Sequence, residues 1–214
     1  MLQRYKCLLF FVTACFAFII VSIVNAQDVP ENILQNSDFE NVETAPWTMW
    51  VEDPAAVAIM SVDKKEHVDG DQSLLIDIKK KGDGKRVELH QNPLNLKKGQ
   101  TLTYALWAKV PKDDVRNARM IANHRADPWT SYTFKDILIE EDWIEFWSTF
   151  TMPDNDNMAG IYIELIDVPG QVWFDHFRLY EGKYIEEDLG AMKAKAVDSK
   201  NKLAYTWGKV KSAR

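Results

Sequence analysis

From Ala55 to Tyr180 the apolar residues recur at every second position, in short runs cut apart by Gly, Pro, Asn and Asp. This period constrains the chain more than any other feature. Alternation lines one face of a strand with apolar side chains, whereas an amphipathic helix needs a period of about 3.6 residues. The clearest run is Thr101 to Val110, where Leu102, Tyr104, Leu106, Ala108 and Val110 form one row. Ser73–Lys79, Trp143–Met152 and Gly160–Ile166 repeat the pattern, with Leu74, Ile76 and Ile78, then Ile144, Phe146, Phe150 and Met152, then Ile161, Ile163 and Leu165 pointing inward. Further strands are expected at Ala55–Val62, Arg86–Gln91, Ala118–Arg125 and Thr133–Ile139, and Thr44–Pro54 reads as a loop carrying Trp47 and Trp50. Turn residues at Lys80–Gly84, Lys98-Gly99, Pro153–Asn157 and Pro169-Gly170 separate the runs. No helix of ordinary length is needed before Ile185. Many short strands at this spacing predict an all-β chain, a β-sandwich of two antiparallel sheets.

The ends differ from this middle. Arg4 and Lys6 precede an apolar run from Leu8 to Val24, and Val24-Asn25-Ala26 has the small residues of a cleavage site. Residues 1–26 therefore read as a secretory signal peptide, and a secreted or cell-envelope location is expected. Two other readings stand beside it: a lipoprotein signal at Val12-Thr13-Ala14-Cys15, and a retained N-terminal anchor, by which the uncleaved protein would meet a membrane. Both cysteines, Cys7 and Cys15, fall in this segment, so residues 27–182 form a domain without a disulfide, long enough for one sizeable core. Residues 183–214 read as a short basic tail.

Charge divides the chain in the same way. The net charge is −6, and the signal segment holds two cations and no acid, which leaves −8. Residues 190–214 carry seven Lys/Arg against one Asp, so residues 27–189 carry −14. An acidic domain argues against nucleic acid as a partner, suits a hard cation, and leaves neutral ligands open.

Two segments close the domain end to end. Asn32–Gln35 reads as a short strand running into the turn formers Asn36, Ser37 and Asp38, followed by Phe39 and Glu40. Near the other end, Trp173, Asp175, Phe177 and Leu179 share one face of the strand Gln171–Tyr180. A buried carboxylate in an apolar row needs a partner. Glu40 and Asp175 are expected to meet across a bound cation.

The order of several motifs resembles a known family. Asn32-Ile33-Leu34-Gln35-Asn36 with Phe39-Glu40, then Gly70 with Ser73-Leu74, then Leu96, Gly99, Tyr104 and Ala108-Lys109, then Trp143, Phe146, Phe150 and Met152-Pro153, then Val172-Trp173-Phe174-Asp175 with Phe177-Arg178-Leu179 are similar to the CenC-type carbohydrate-binding modules, which pool families four and nine. The resemblance implies a galactose-binding-like jelly roll with one convex and one concave sheet, the latter forming a glycan-binding cleft. It also implies a structural calcium between the N-terminal turn and the last strand. Glu40 and Asp175 would supply side-chain ligands, and carbonyls of Asp38 and of the 66–71 loop would complete the six to eight oxygens calcium takes.

Arg86–Gln91, Ala118–Arg125 and Gly160–Ile166 are placed in the concave sheet. With Val87 and Leu89 inward, Arg86, Glu88 and His90 face the cleft; Tyr162 and Glu164 face it from the third strand. The middle strand is open to two phases, one presenting Arg119, Asn123 and Arg125, the other His124. Sugar binding calls for aromatic faces against pyranose C–H patches and for planar polar groups that take hydroxyls in pairs. Trp47, Trp50, Trp129 and Tyr162 are the aromatic candidates; Arg86, Glu88, His90, Asn123, Arg125 and Glu164 are the polar ones. No His cluster has zinc spacing. The expected function is a non-catalytic, monomeric module that binds a poly- or oligosaccharide. A cell-surface or matrix adaptor for protein partners is the first alternative. A small glycoside hydrolase using Glu88 and Glu164 is the second.

Overall fold

The computed structural model describes residues 30–41, 43–166, 168–187 and 189. Its strands are β1 Thr48–Val51, β2 Val57–Asp63, β3 Ser73–Lys80, β4 Arg86–Leu96, β5 Thr101–Lys109, β6 Arg116–His124, β7 Ser131–Ile139, β8 Ile144–Thr151, β9 Asp156–Ile166 and β10 Gly170–Glu181. They form two five-stranded antiparallel sheets in the orders β1-β4-β9-β6-β7 and β2-β3-β10-β5-β8. From β3 to β6 and again from β7 to β10 the chain crosses from one sheet to the other at each step, as expected of a jelly roll. The alternating residues meet between the sheets: Leu74, Ile76 and Ile78 of β3 and Leu102, Tyr104 and Leu106 of β5 face Val87, Leu89, Met120, Ile161, Ile163 and Leu165, all buried. The first sheet carries the cleft, and the second is called the back sheet.

The structure differs from the sequence reading at four places. Asn32–Gln35 is not a strand. One ladder-like bond, from Ile33 N to Leu179 O at 2.7 Å, docks it beside β10; the Asn32 side chain does the rest, accepting from Leu179 N at 2.9 Å and donating to Phe177 O at 2.8 Å. A side chain that replaces the backbone partner leaves no strand ladder to form.

The row Trp173, Asp175, Phe177, Leu179 is also broken. The register of β10 against β5 shifts between Asp175 and Arg178, with His176 at φ 48°. This β-bulge turns Val172 and Phe174 into the core before it and Phe177 and Leu179 after it. Trp173 and Asp175 therefore lie on the opposite side of the back sheet from Phe177.

The segment around Trp47 and Trp50 is the short strand β1, which pairs with β4. Trp47, expected to face the cleft, is buried at 2% exposure. Its ring packs 4.4 Å from Phe177 and 5.6 Å from Phe39, and its Nε1 donates to Asn36 O at 2.9 Å. The apolar ring thus plugs one end of the core, and the acidic turn that precedes it takes its only polar atom.

The domain runs past residue 182. The Tyr184 ring stacks on Trp147 at 4.4 Å, Ile185 N donates to Tyr180 Oη at 2.8 Å, and Glu187 pairs with Arg178 at 2.9 Å and His176 at 2.6 Å. Residues 183–187 thus strap the outer face of the back sheet, where Arg178 also binds Glu145. The expected signal segment 1–26 and residues 190–214 lie outside the described residues.

Candidate binding cleft

Strand register lays out the outer face of the cleft sheet row by row, because directly opposed residues point the same way. One row runs Trp50, Glu88, Glu164, Arg119, Asp136 across β1, β4, β9, β6 and β7. The next runs Thr48, His90, Tyr162, Ile121, Phe134. A third brings Gly160, Asn123 and Ser131 together. Met120 and Ala122 point into the core, so β6 presents Arg119 and Asn123. His124 belongs to the other phase and binds Asp156 at 2.9 Å.

The floor of these rows forms a cleft of about 640 Å³, lined by eight of the ten residues expected there: Arg86, Glu88 and His90 of β4, Tyr162 of β9, Asn123 and Arg125 at the end of β6, and Trp50 and Trp129 on the walls. Ser131 joins them. Glu164 lies on the same face but outside this cavity, lining a smaller neighbouring one with Arg119, which takes its carboxylate at 3.0 Å, and Asp136. Trp47 is in the core, as described.

Trp50 and Trp129 are 43% and 54% exposed, which leaves aromatic faces in water at both walls. Trp129 sits in the β6–β7 turn at φ 60°, and its N–H donates to Ala126 O. A bulky residue in the left-handed region is strained by ~1–3 kcal/mol, and such strain concentrates at binding sites. Arginines lie against these rings: Arg86 Cζ is 5.4 Å from the Trp50 ring, and Arg125 Cζ is 4.8 Å from Tyr162 and 5.7 Å from Trp129.

Every arginine here is already paired. Arg86 holds Glu52 at 3.0 Å and Glu88 at 3.5 Å; Arg125 holds Glu88 at 3.3 Å; Arg119 holds Asp136 at 2.9 Å and Glu164. Three cations thus meet four carboxylates, and the face offers no uncompensated positive charge. Burial pushes the Glu164 carboxyl up against the pull of Arg119 and Arg86. Burial, then the charge of Arg125, holds the His90 imidazole below its usual value and therefore neutral in the physiological range. The Nδ1 of His90 and the Oδ1 of Asn123 are buried without a hydrogen-bond partner. Such atoms cost stability and cluster where a protein meets a ligand or an ordered water.

Phe134 escaped the sequence reading. It stands 53% exposed on the same face, with Arg119 Cζ 4.1 Å from its ring. Strand β7 carries apolar residues in both phases, Phe134 and Leu138 in one and Ile137 and Ile139 in the other, so alternation does not say which face is buried.

At the seam of the chain ends, Glu40 and Asp175 grip one loop. Glu40 Oε1 accepts from Asp71 N at 2.8 Å and Gln72 N at 3.1 Å; Asp175 accepts from Val68 N, Asp69 N and His176 N. Asp38 Oδ1 accepts from Glu40 N. Asp175 is fully buried, and burial pushes its carboxyl up to about 7 despite those three bonds. The two carboxylates fit a hard cation as anionic ligands, while the loop turns amides toward them where a calcium shell takes carbonyls. No group of three or more His, Cys, Asp or Glu converges on a point among the described residues.

Residues 31–170 match the family model of a carbohydrate-binding domain pooling families four and nine. The chain belongs to this carbohydrate-binding domain family. Solved carbohydrate-binding modules share its fold. A CBM4 module superposes with a TM-score of 0.55 at 23% identity, covering 69% of this chain and 99% of that one. The CBM22-1 xylan-binding domain from Paenibacillus barcinonensis Xyn10C gives 0.55 at 13% identity, covering 73% and 97%. A family 16 carbohydrate-binding module gives 0.53 at 18% identity, covering 70% and 100%. No curated protein matches the chain. The carbohydrate-binding domain is thus the jelly-roll sandwich just described, with the cleft on its β1-β4-β9-β6-β7 sheet.

Proposed function

We propose that this carbohydrate-binding domain is a non-catalytic module that holds a neutral poly- or oligosaccharide in the cleft between Trp50 and Trp129. One observation carries the reading. Two half-exposed tryptophans wall a single cleft whose floor is paved with arginine–carboxylate pairs. Exposed rings give a sugar stacking area, and pre-paired planar groups give it hydroxyl partners held in fixed orientation. Every arginine is paired before any ligand arrives, and the carboxylates outnumber the cations by one, which favours a neutral glycan over a uronic or sulfated one. If residues 1–26 act as an export signal, the module works outside the cytoplasm, where such glycans are found.

Glu88 and Glu164 support binding rather than hydrolysis. A glycosidase places two carboxyl groups on either side of the scissile bond, ~5–10 Å apart. Here the two are directly opposed neighbours on adjacent strands of one face, so both would touch the same side of a sugar. Retention on insoluble glycans, with titration of soluble ones, tests the reading. Binding should weaken in Trp129→Ala and Arg86→Ala, and the bound glycan should be recovered uncut. Failure of the wild-type protein to bind any neutral glycan would overturn it.

A structural calcium at the seam is proposed on a narrower footing. Glu40 and Asp175 come from opposite ends of the chain to one loop, and a cation there would compensate the buried Asp175 charge, with Asp38 lending its carbonyl. Its binding energy would add to folding by mass action. The melting temperature should fall in chelator and recover with calcium; a melting curve indifferent to both removes the ion from the account.

A further inference from the structure

A sandwich of two open sheets has two edge strands in each sheet, and a bare edge is a template for another strand. On three of these edges the structure shows a guard. Strand β1 is only four residues long. Strand β7 carries Lys135 in its inward phase, opposite Met120, and that lysine crosses to donate to Trp147 O of β8 at 2.6 Å. Thr133 and Ser148 bond between the same two strands at 2.6 Å. Strand β8 is thus capped by its neighbour, and Tyr184 of the strap stacks on its Trp147.

Strand β2 has none of these devices. Its sequence, Val57-Ala58-Ile59-Met60-Ser61-Val62-Asp63, holds no Pro or Lys and no charge before Asp63. Among the described residues it pairs with β3 alone. The register shift near Val57 falls on β3, where Lys79 is the extra residue, so β2 itself stays regular. Ala58 and Met60 pack against the core, which leaves Val57 and Ile59 on the outer face of the back sheet, 45% and 47% exposed.

We propose that β2 is the interface with a second copy of this chain, the two edges pairing antiparallel about Ile59 to join two back sheets into one. A two-fold axis there sets Ile59 opposite Ile59 of the partner subunit and brings Val57 onto the diagonal, so the exposed β-branched side chains cover one another. Charge favours a like partner over a charged peptide. Asp77, in the row of Ile59, is held by Lys79 at 2.5 Å and Gln171 at 3.0 Å. Asp63 accepts from Trp173 Nε1 at 3.0 Å and from Lys65 N at 2.7 Å. The edge thus brings no unanswered carboxylate to a copy of itself. Size sets the strength. A strand of this length spans about 24 Å, and two sheets stacked ~10 Å apart are about 20 Å deep with their side chains, so the contact buries roughly 500 Å² per copy. That is close to the ~1,000 Å² in total that a specific interface needs, and it makes a dimer that dissociates on dilution.

The dimer bears on binding if the cleft is a glycan site. Strand β1 lies over β2 on the same side of the sandwich. A strand added to an edge keeps the faces of its sheet, so the two clefts would open the same way, Trp50 wall toward Trp50 wall. Such a pair holds two stretches of one insoluble glycan at once.

Sedimentation equilibrium from low micromolar to millimolar protein decides the point. The wild type should pass from monomer to dimer across that range. Ile59→Lys puts a common edge guard on an exposed position and should stay monomeric, with the melting curve of the dilute wild type verifying its fold. On insoluble cellulose or xylan, whichever retains the protein, the wild type should be held roughly tenfold or more tightly than Ile59→Lys, while calorimetry with the matching trisaccharide gives both the same affinity per site. A wild type that remains monomeric at millimolar concentration would overturn the interface and leave the edge to an extended peptide of another protein. A dimer that survives Ile59→Lys would place the contact elsewhere. No retention on either glycan would count against the cleft and its pairing, while the β2 interface stands or falls on sedimentation alone.

Discussion

The guanidinium of Arg125 lies 4.8 Å over the ring of Tyr162, and it reaches that place by crossing Gly160, two residues earlier on β9. A Cβ at Gly160 would stand 2.8 Å from Arg125 Cγ and 2.9 Å from Asn92 Cβ. These are stem atoms, which cannot swing aside cheaply. The glycine is thus part of the site although it touches no ligand: it lets an arginine from the end of β6 lie between two aromatic rings and bond Glu88.

Gly160→Val is therefore expected to displace Arg125 and weaken glycan binding tenfold or more. Overpacking should also cost about 1–3 kcal/mol of stability. Titration calorimetry and urea unfolding read the two effects, and retention of full affinity would show that Arg125 is not needed where it lies.

The tryptophans of the Thr44–Pro54 segment should behave in opposite ways. Trp50→Ala removes an exposed wall, so binding should fall while the melting temperature barely moves. Trp47→Ala empties a core site packed against Phe39 and Phe177, which costs ~3–5 kcal/mol. Paired binding and denaturation curves separate them.

His90 should leave a signature in acid. Its folded-state value is depressed below 6.5 by burial and by Arg125. The unfolded chain takes up the proton first, so the contribution to stability is complete above the unfolded value and is lost as pH falls through the folded one. The midpoint of urea unfolding should therefore decline below pH 6.5. His90→Gln should flatten that part of the profile relative to the wild type, and an identical slope in both would assign it to other groups.

The strap makes a prediction about the domain boundary. Glu187 is buried against Arg178 and His176, so Glu187→Ala strips a partner from a buried guanidinium, at a cost of ~3 kcal/mol. A chain ending at residue 182 should lose at least as much. Equal melting temperatures for the chains ending at 182 and 189 would make the strap an ornament.

The sandwich was legible because its strands alternate cleanly. On β4 and β9, one buried phase leaves no choice about where Arg86, Glu88, His90 and Tyr162 point. Alternation failed wherever both phases look alike or the phase changes. On β7 the two phases are equally apolar, which hid Phe134. In β10 the bulge after Asp175 shifts the register, which moved Phe177 and Leu179 to the other side from Trp173. Near the N-terminus, hydrogen bonds from the Asn32 side chain stand in for a strand ladder, and no local pattern announces that.

Sequence by itself thus determined the fold class, the sheet that bears the cleft and most of the residues lining it, because side-chain direction along a strand is a local property with a period of two. Tertiary structure alone decided which tryptophan is core and which is wall, which arginine meets which carboxylate, and that aromatic–arginine pairs stand at both edges of one sheet. Those relations join residues far apart in the chain, and only the register between strands brings them into contact.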